Sequence, residues 1–237
     1  VEVILESEPE ELERVVSNTQ NGQLWVQLDN RWSADLTSKL VLSAVSFDNR
    51  RQGSLNDEEK IVATVLDERD VRQFSFRQDW MWSSGETHLL QWGIEATYAD
   101  ASYDYANSAE YFGLPALWSD QPESVSLVAA AEPNGGSYAV YFSDRWKLSP
   151  KAVLEWGLRW DDQTYTDLAS DSQLSPRLSL LRSLGANTEF RISWGRYHQS
   201  QGIHELQIED GITNFWPAQR ADHLIAGIRH LFRDKYA

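Results

Sequence analysis

The residues that could carry catalysis or bind a metal ion are few and are poorly spaced for either task. Asp161 and Asp162 form a carboxylate pair of the kind used in glycoside hydrolysis, but they are neighbours in a segment with strand periodicity. Adjacent strand residues point to opposite faces, so these carboxylates cannot flank one bond. His198 and His204 could offer imidazole to a metal, yet no second pair with ligand spacing accompanies them. We therefore predict no catalytic residue, no metal and no cofactor, and the chain is not expected to be an enzyme.

The composition excludes further classes of protein. The chain has 237 residues, no cysteine and a net charge of −15 from 36 acidic and 21 basic side chains. A nucleic-acid partner would require the opposite charge. The 11 Trp, 9 Tyr and 8 Phe form a heavy aromatic load, while the mean hydropathy is only −0.51. No run approaches the roughly 18 to 20 apolar residues of a membrane helix, so a membrane protein of this kind would have to be a β-barrel.

The organising signal is a strict alternation of apolar and polar side chains, which is the period of a β-strand. Between residues 151 and 161 the even positions are Ala, Leu, Trp, Leu and Trp, whereas the odd ones are mostly charged or small. Similar alternation recurs along the chain. It predicts nine strands, at 23–33, 39–50, 73–83, 88–99, 137–148, 151–161, 175–184, 187–195 and 221–232.

The predicted connections alternate between short and long ones. Short turns on one side and long loops on the other are typical of an up-and-down barrel whose turns face the periplasm and whose loops face outside. The short links lie near 34–38, 84–86, 149–150 and 185–186, and the longer ones at 51–69, 103–135, 162–173 and 199–220.

Tryptophan near strand ends supports a membrane location, because Trp rings favour the two membrane–water interfaces. Trp32, Trp82 and Trp146 lie close to short turns, and Trp160 lies on the loop side. These four residues are predicted to form the membrane girdle. The predicted fold is an all-β, antiparallel, up-and-down transmembrane β-barrel.

An odd strand count leads us to expect a partial barrel of about nine or ten strands, because bacterial barrels normally have an even number. In this prediction residues 1–22 are the remnant of an extracellular loop or of a preceding strand. Residues 23–232 are the barrel strands with their turns and loops, and residues 233–237 begin a periplasmic turn.

Two alternatives to this receptor barrel stay open. One is a small closed outer-membrane barrel with a structural or adhesive role, which an even strand count would favour. The other is a soluble Trp-rich glycan-binding β-protein, whose aromatic faces would have to be a closed core.

Two hairpins carry a family resemblance. Residues 138–148 contain Tyr-x-x-Asp-x-Trp-x-Leu, and residues 154–161 end in Gly-Leu-Arg-Trp-Asp after a tight turn. This pair resembles a recurrent hairpin of TonB-dependent receptors, in which Tyr is usual at the position of Trp160. Residues 175–206 resemble the next hairpin of that family. They depart from it at 197–202, where the family often has an Arg-x-Pro-Ser type segment. Because of this departure, the resemblance does not identify the ligand that the loop binds.

The resemblance implies a barrel of about 22 strands in the bacterial outer membrane, with its lumen filled by an N-terminal plug. It implies uptake of a scarce nutrient such as an iron–siderophore complex, with vitamins and glycans equally allowed. Its partners would be outer-membrane lipid, the plug, a periplasmic energy-transducing protein and the small-molecule ligand. The plug and the segment that contacts the periplasmic protein are expected to lie outside this chain, which alone should neither gate nor transport.

Two sets of residues follow as candidate site residues. Aromatic side chains in the long loops could stack against a ligand at the receptor mouth, or could simply pack the loops together. This set is Trp118, Tyr111, Phe112 and Trp216. Polar side chains that point inward from the strands would line the lumen and contact the plug. This second set is Arg145, Lys147, Glu155, Arg159, Glu189 and Arg191.

Overall fold

The structure is a computed structural model that describes residues 2–5, 12–57, 59–113, 123–166 and 172–232. Within these ranges the chain is almost entirely β-strand, with two single-turn 3-10 helices at Ile203–Glu205 and Ile208–Asp210. The strands in chain order are β1 Glu2–Leu5, β2 Leu12–Arg31, β3 Leu36–Asp57, β4 Ile61–Ser84, β5 His88–Tyr111, β6 Ser124–Ala131, β7 Asn134–Ser149, β8 Ala152–Gln163, β9 Gln173–Ser183, β10 Thr188–Gln199 and β11 Gln219–His230.

The strands form one antiparallel sheet in which neighbours in the chain are neighbours in space. The order is β1-β2-β3-β4-β5-β7-β8-β9-β10-β11, and β6 departs from this path by pairing only with the loop-side half of β5. All nine predicted strands are present, and the up-and-down topology is confirmed. The path has ten strands, an even number, but β1 and β11 do not pair with each other in the described residues. The described sheet is therefore open, which does not match the small closed barrel.

Serine hydrogen bonds and a glycine in a left-handed conformation stabilise the short turns. In the β2–β3 turn the Ser33 hydroxyl accepts hydrogen bonds from the backbone amides of Asp35 and Leu36, at 3.2 and 3.1 Å. The β4–β5 turn places Gly85 at φ 65°, a left-handed conformation that favours glycine. Ser149 caps the β7–β8 turn by accepting from the amide of Lys151 at 3.2 Å. Serine and glycine at these points act as expected of turn residues.

The strands on the loop side are much longer than predicted, and this corrects the sequence interpretation. Residues 51–69 are not a long loop, because β3 runs to Asp57 and β4 begins at Ile61. Residues 103–111 likewise continue β5, and 12–22 belong to β2. A strand of 24 residues such as β4 spans roughly 80 Å at about 3.3 Å per residue, well beyond a hydrocarbon layer of about 30 Å. Outside such a layer neither face of the sheet needs to be apolar. The alternation of apolar and polar side chains therefore ends there, although the backbone hydrogen bonds between the strands continue.

The register gives the sheet two faces of opposite character. Even-numbered residues pair with even-numbered ones from β1 to β11, as in Leu42 with Phe76, apart from a shift at the end of β7. We call these surfaces the even face and the odd face. The even face is apolar and exposed, since Phe74 is 60% and Val140 50% exposed. The soluble alternative required this face to be a closed core, and the exposed side chains contradict it.

The buried core lies instead on the odd face at its loop side. Tyr103 and Tyr105 of β5 are buried there against the segment that follows β10, which contributes Leu206, Ile208 and Phe215. Ile208 is 0% exposed. The loop after β10 is thus folded onto the sheet, and it determines where a cavity can form.

Candidate functional site

The girdle residues lie at the edges of the even face or beside them. Trp82 and Trp146 lie near the short turns, Trp160 lies toward the loops, and all three are about 40% exposed. Trp32 follows β2, and its indole N–H donates to the Ser38 hydroxyl at 2.9 Å. Their role as a membrane girdle stays a prediction.

The structure adds two further tryptophans to this row. Trp80 stacks on Trp32 with ring centroids 5.7 Å apart, and Trp92 stacks on Trp80 at 6.1 Å and 2°. Register explains the second contact, because Trp80 of β4 and Trp92 of β5 are directly opposite. A row of stacked indoles therefore runs from the β2–β3 turn over β4 to β5. Phe142 of β7 lies directly opposite Trp92 at the end of this row.

The odd face carries a ladder of ion pairs across four strands. Arg77 pairs with Asp79 at 2.8 Å and with Glu95 at 3.3 Å. Arg159 pairs with Glu95 and with Asp161, both at 2.8 Å. Three carboxylates and two guanidiniums give this ladder a net charge of −1. Because the groups are partly shielded and share partners, they hold one another in place more firmly than isolated surface pairs would.

A tyrosine forms a hydrogen bond across the middle of this ladder. Tyr141 of β7 donates a hydrogen bond of 2.5 Å to Asp79 of β4, although β5 lies between the two strands. The ring crosses β5 at Gly93, where a Cβ atom would come within 2.7 Å of the Tyr141 ring. Only a residue without a side chain leaves room for this contact.

The predicted lumen-lining residues all lie on the odd face. Arg159 belongs to the ladder described above. Arg145 pairs with Glu155 at 3.2 Å, but both side chains are about half exposed. Arg191 donates to the Ser179 hydroxyl at 3.3 Å. Arg145, Glu155 and Arg191 line one cavity of about 700 Å³. Lys147 and Glu189 occupy odd positions of β7 and β10.

A second cavity, which we call the loop-side cavity, lies where the loop after β10 meets the long strands. Its volume is about 740 Å³, and polar side chains, two aromatic rings and charged groups line it. The lining includes Asn21, Phe47, Asn49, Arg51, Asp67, Arg69, Gln73, Tyr103, His204 and Glu209.

The charged wall of the loop-side cavity is organised around Asp67, whose side chain is buried. Arg69 donates to both of its carboxylate oxygens at 2.7 and 3.1 Å, and Arg51 donates to one of them at 3.1 Å. Arg69 also reaches Glu209 of the loop at 3.0 Å and lies over the Tyr103 ring at 5.9 Å. Two positive and two negative side chains balance, so this wall is neutral overall.

The loop after β10 is fixed to the sheet by side-chain hydrogen bonds to its backbone. The Tyr103 hydroxyl donates to the Ile203 carbonyl at 2.7 Å, and the Tyr165 hydroxyl donates to the Gln201 carbonyl at 3.0 Å. The ring of Tyr165 also meets Phe215 edge-on at 5.2 Å. The first of these bonds lies beside the loop-side cavity, because Tyr103 and His204 line it.

The predicted ligand-binding aromatics are not the residues that line this cavity. Trp118 lies outside the described residues. Tyr111 ends β5 and lines a smaller groove of about 290 Å³ with Tyr105. Phe112 follows it, and its amide donates to the Lys60 carbonyl at 2.8 Å. Trp216 is 62% exposed on the loop after β10. Within the described ranges no ring contact joins these residues.

Sequence reasoning missed Asp67, Arg69, Tyr103 and Glu209. The first three were assigned to long loops because the apolar alternation stops before them. A weaker signal was present in Asp67-x-Arg69-x-Val71 and Tyr103-x-Tyr105, where odd positions continue the strand period. Glu209 gave no such signal, because only the folding of its loop brings it to Arg69.

In the part of the chain that the structure describes, no group of three or more His, Cys, Asp or Glu side chains is placed to hold a metal ion. No helix among the same residues has the length and apolarity needed to cross a membrane.

The chain is similar to a known protein family and to solved structures. Residues 8–234 match the family described as TonB dependent receptor-like, beta-barrel. The crystal structure of the siderophore receptor PiuA from Acinetobacter baumannii superposes with a TM-score of 0.61 at 13% identity, over 94% of this chain and 39% of PiuA. The alcaligin outer membrane receptor FauA from Bordetella pertussis matches at 12% identity and a TM-score of 0.33, over 96% of this chain and 44% of FauA. No curated protein sequence matches the chain significantly.

A long antiparallel meander with one exposed apolar face and one charged face is the wall of a transmembrane β-barrel. The chain belongs to the TonB-dependent receptor-like β-barrel family, because that family matches nearly its whole length. It spans about two fifths of the length of PiuA.

Proposed function

We propose that the chain is a middle part of the barrel wall of an outer-membrane TonB-dependent receptor that imports a scarce nutrient such as an iron–siderophore complex. The observation that carries this proposal is the division of the sheet. Its even face is apolar and exposed, as lipid contact requires, and its odd face combines an ion-pair ladder with a cavity at the loop side. PiuA, whose fold is similar, is a siderophore receptor.

In this proposal one part of the odd face contacts the plug, and the loop-side part binds the ligand. The ladder near Arg77, Glu95 and Arg159 faces the plug that fills the lumen. It has one carboxylate in excess, so a basic side chain of the plug would complete it. Arg145, Lys147, Glu155, Glu189 and Arg191 would line the same lumen toward the short turns. The loop-side cavity would receive the ligand before the plug moves.

The loop-side cavity has the features of a small-molecule site. It is concave and of suitable size, and it offers amide and charged hydrogen-bonding groups beside the rings of Phe47 and Tyr103. Trp118, Tyr111, Phe112 and Trp216 would lie around the mouth and contact a large ligand only at its periphery. Energy would come from a periplasmic protein that contacts another part of the receptor.

Binding of ferric siderophores to the full-length protein in detergent tests this proposal. Ferric complexes of a catecholate, a hydroxamate and an α-hydroxycarboxylate siderophore are titrated while tryptophan fluorescence is followed. We expect one class to bind, and Arg51→Ala to weaken its binding at least tenfold. Arg145→Ala, which lines the other cavity, is the matched control and should bind as the wild type does. Failure of all three complexes to bind would contradict siderophore uptake and favour vitamin or glycan ligands.

A further inference from the structure

Near the short turns, an acidic side chain of β7 lies on the even face among apolar residues. Asp144 of β7 is directly opposite Leu90 of β5 and Trp156 of β8, and it lies between Phe142 and Trp146 along its own strand. Only 5% of the residue is exposed. A carboxylate in apolar surroundings is unfavourable unless it is paired and hydrogen-bonded, and such residues at a lipid-facing surface usually serve a function.

One of the two carboxylate oxygens of Asp144 has a hydrogen-bond partner. The Nδ1 atom of His88, the first residue of β5, lies 2.8 Å from the Oδ2 atom of Asp144. Its imidazole stacks on the Trp146 ring at 5.3 Å, which fixes its orientation. The other oxygen, Oδ1, is buried and has no hydrogen-bond partner among the described residues. Among the described residues His88 is the side chain that pairs with Asp144, so Oδ1 can accept a hydrogen bond from a bound group.

The surroundings of Oδ1 suit a cation. Trp146 and Trp156 are about 40% exposed, and Phe142 packs against Trp156 with ring centroids 5.4 Å apart. Aromatic faces attract ammonium groups, most strongly where water is partly excluded. The pair also lies at the short-turn end of the even face, because β5 begins at His88. This is the level at which lipid headgroups meet a barrel.

We propose that Asp144, with Trp146 and Trp156, binds the primary ammonium group of an aminophospholipid headgroup in the leaflet on the short-turn side. This inference rests on the even face meeting lipid. Oδ1 accepts the hydrogen bond that no protein group donates, while His88 holds Oδ2. Side chains cover Oδ1, so the headgroup enters when one of the partly exposed rings rotates. An anionic headgroup alone would be repelled by the carboxylate.

Native mass spectrometry of the full-length protein, purified in detergent and mixed with equal amounts of two lipids, tests the site. We expect phosphatidylethanolamine to be retained at least fivefold over phosphatidylglycerol. Phosphatidylcholine keeps the cation but its trimethylated head cannot donate a hydrogen bond, so it should be retained less than phosphatidylethanolamine and more than phosphatidylglycerol. Asp144→Asn should abolish the preference. Asp162→Asn removes a carboxylate from an even position at the loop side and should keep it.

A second variant separates lipid binding from a purely structural pair. His88→Asn removes the imidazole but leaves the carboxylate, so the preference for phosphatidylethanolamine should persist. Equal loss of the preference in His88→Asn and Asp144→Asn would overturn the proposal, as would an unchanged preference in Asp144→Asn. Free ethanolamine, added at the lipid concentration, should not displace the lipid if the acyl chains on the even face contribute. Full displacement would mean that a soluble amine site, not a lipid site, is present.

Discussion

The hydroxyl of Tyr141 donates a 2.5 Å hydrogen bond to Asp79, two strands away across the sheet. The contact exists because Gly93 on the intervening strand has no side chain. The same bond places Tyr141 beside Arg159, whose guanidinium lies over the ring at 6.0 Å. One glycine therefore supports the central part of the ion-pair ladder on the odd face.

Replacing Gly93 with alanine should destabilise the barrel wall. The new Cβ would meet the Tyr141 ring and the Gln78 carbonyl at 2.7 Å, and overpacking of this kind costs about 1 to 3 kcal/mol. The free energy of unfolding of the full-length protein in detergent, from a denaturant titration, measures the effect. Gly227→Ala is the matched control, since its Cβ would meet nothing within 4 Å. Equal stability of the two variants would contradict the role given to Gly93.

Removal of Arg159 should cost more than removal of Arg145. Arg159→Leu leaves Glu95 and Asp161 without their shared partner in a partly shielded place, and we expect a loss of about 1 to 3 kcal/mol. Arg145 and Glu155 are about half exposed, so Arg145→Leu should change stability by less than about 0.5 kcal/mol. The same denaturant titration, repeated at high salt, checks both. The ladder would be unimportant if the two variants lost equal stability.

A charge on the even face should be tolerated far less than one on the odd face. Leu158 lies near the middle of β8 and is exposed on the even face. Leu158→Arg should cost about 2 to 4 kcal/mol if this position lies near the bilayer midplane. Gln91→Arg, on the odd face, is the control and should have little effect. Folding yield and unfolding free energy in lipid vesicles measure the difference, and similar values for both variants would contradict lipid contact by the even face.

The loop after β10 should come away from the sheet when its buried anchor is made polar. Ile208 is fully buried, and Ile208→Ser exchanges apolar burial for a hydroxyl that needs a partner. We expect backbone amides of residues 201–215 to exchange hydrogen at least tenfold faster, which mass spectrometry of peptides resolves. Trp216→Ser, at an exposed position of the same loop, should leave these rates nearly unchanged. Slow exchange in Ile208→Ser would show that the loop is held by other contacts.

The sequence by itself determined the transmembrane part of the fold. From Leu154 to Trp160 and from Phe190 to Trp194 the alternation is strict, because one face must be apolar for lipid and the other polar. The same period placed Arg159 and Arg191 on the odd face and Trp82 and Trp160 on the even face. Short turns could be located because Gly85 and Ser149 have local conformational roles. The family resemblance lay in this same region.

Only the tertiary structure decided what happens on the loop side. There both faces of the sheet can be polar, so the sequence of β3 and β4 beyond the apolar rows looked like loop although its backbone remains paired. The loop-side cavity needed contacts between distant segments, such as Arg69 with Glu209, 140 residues apart. The Asp144–His88 pair likewise joins residues 56 apart. No local pattern encodes such pairings, because they depend on the register of whole strands and on how one loop packs across them.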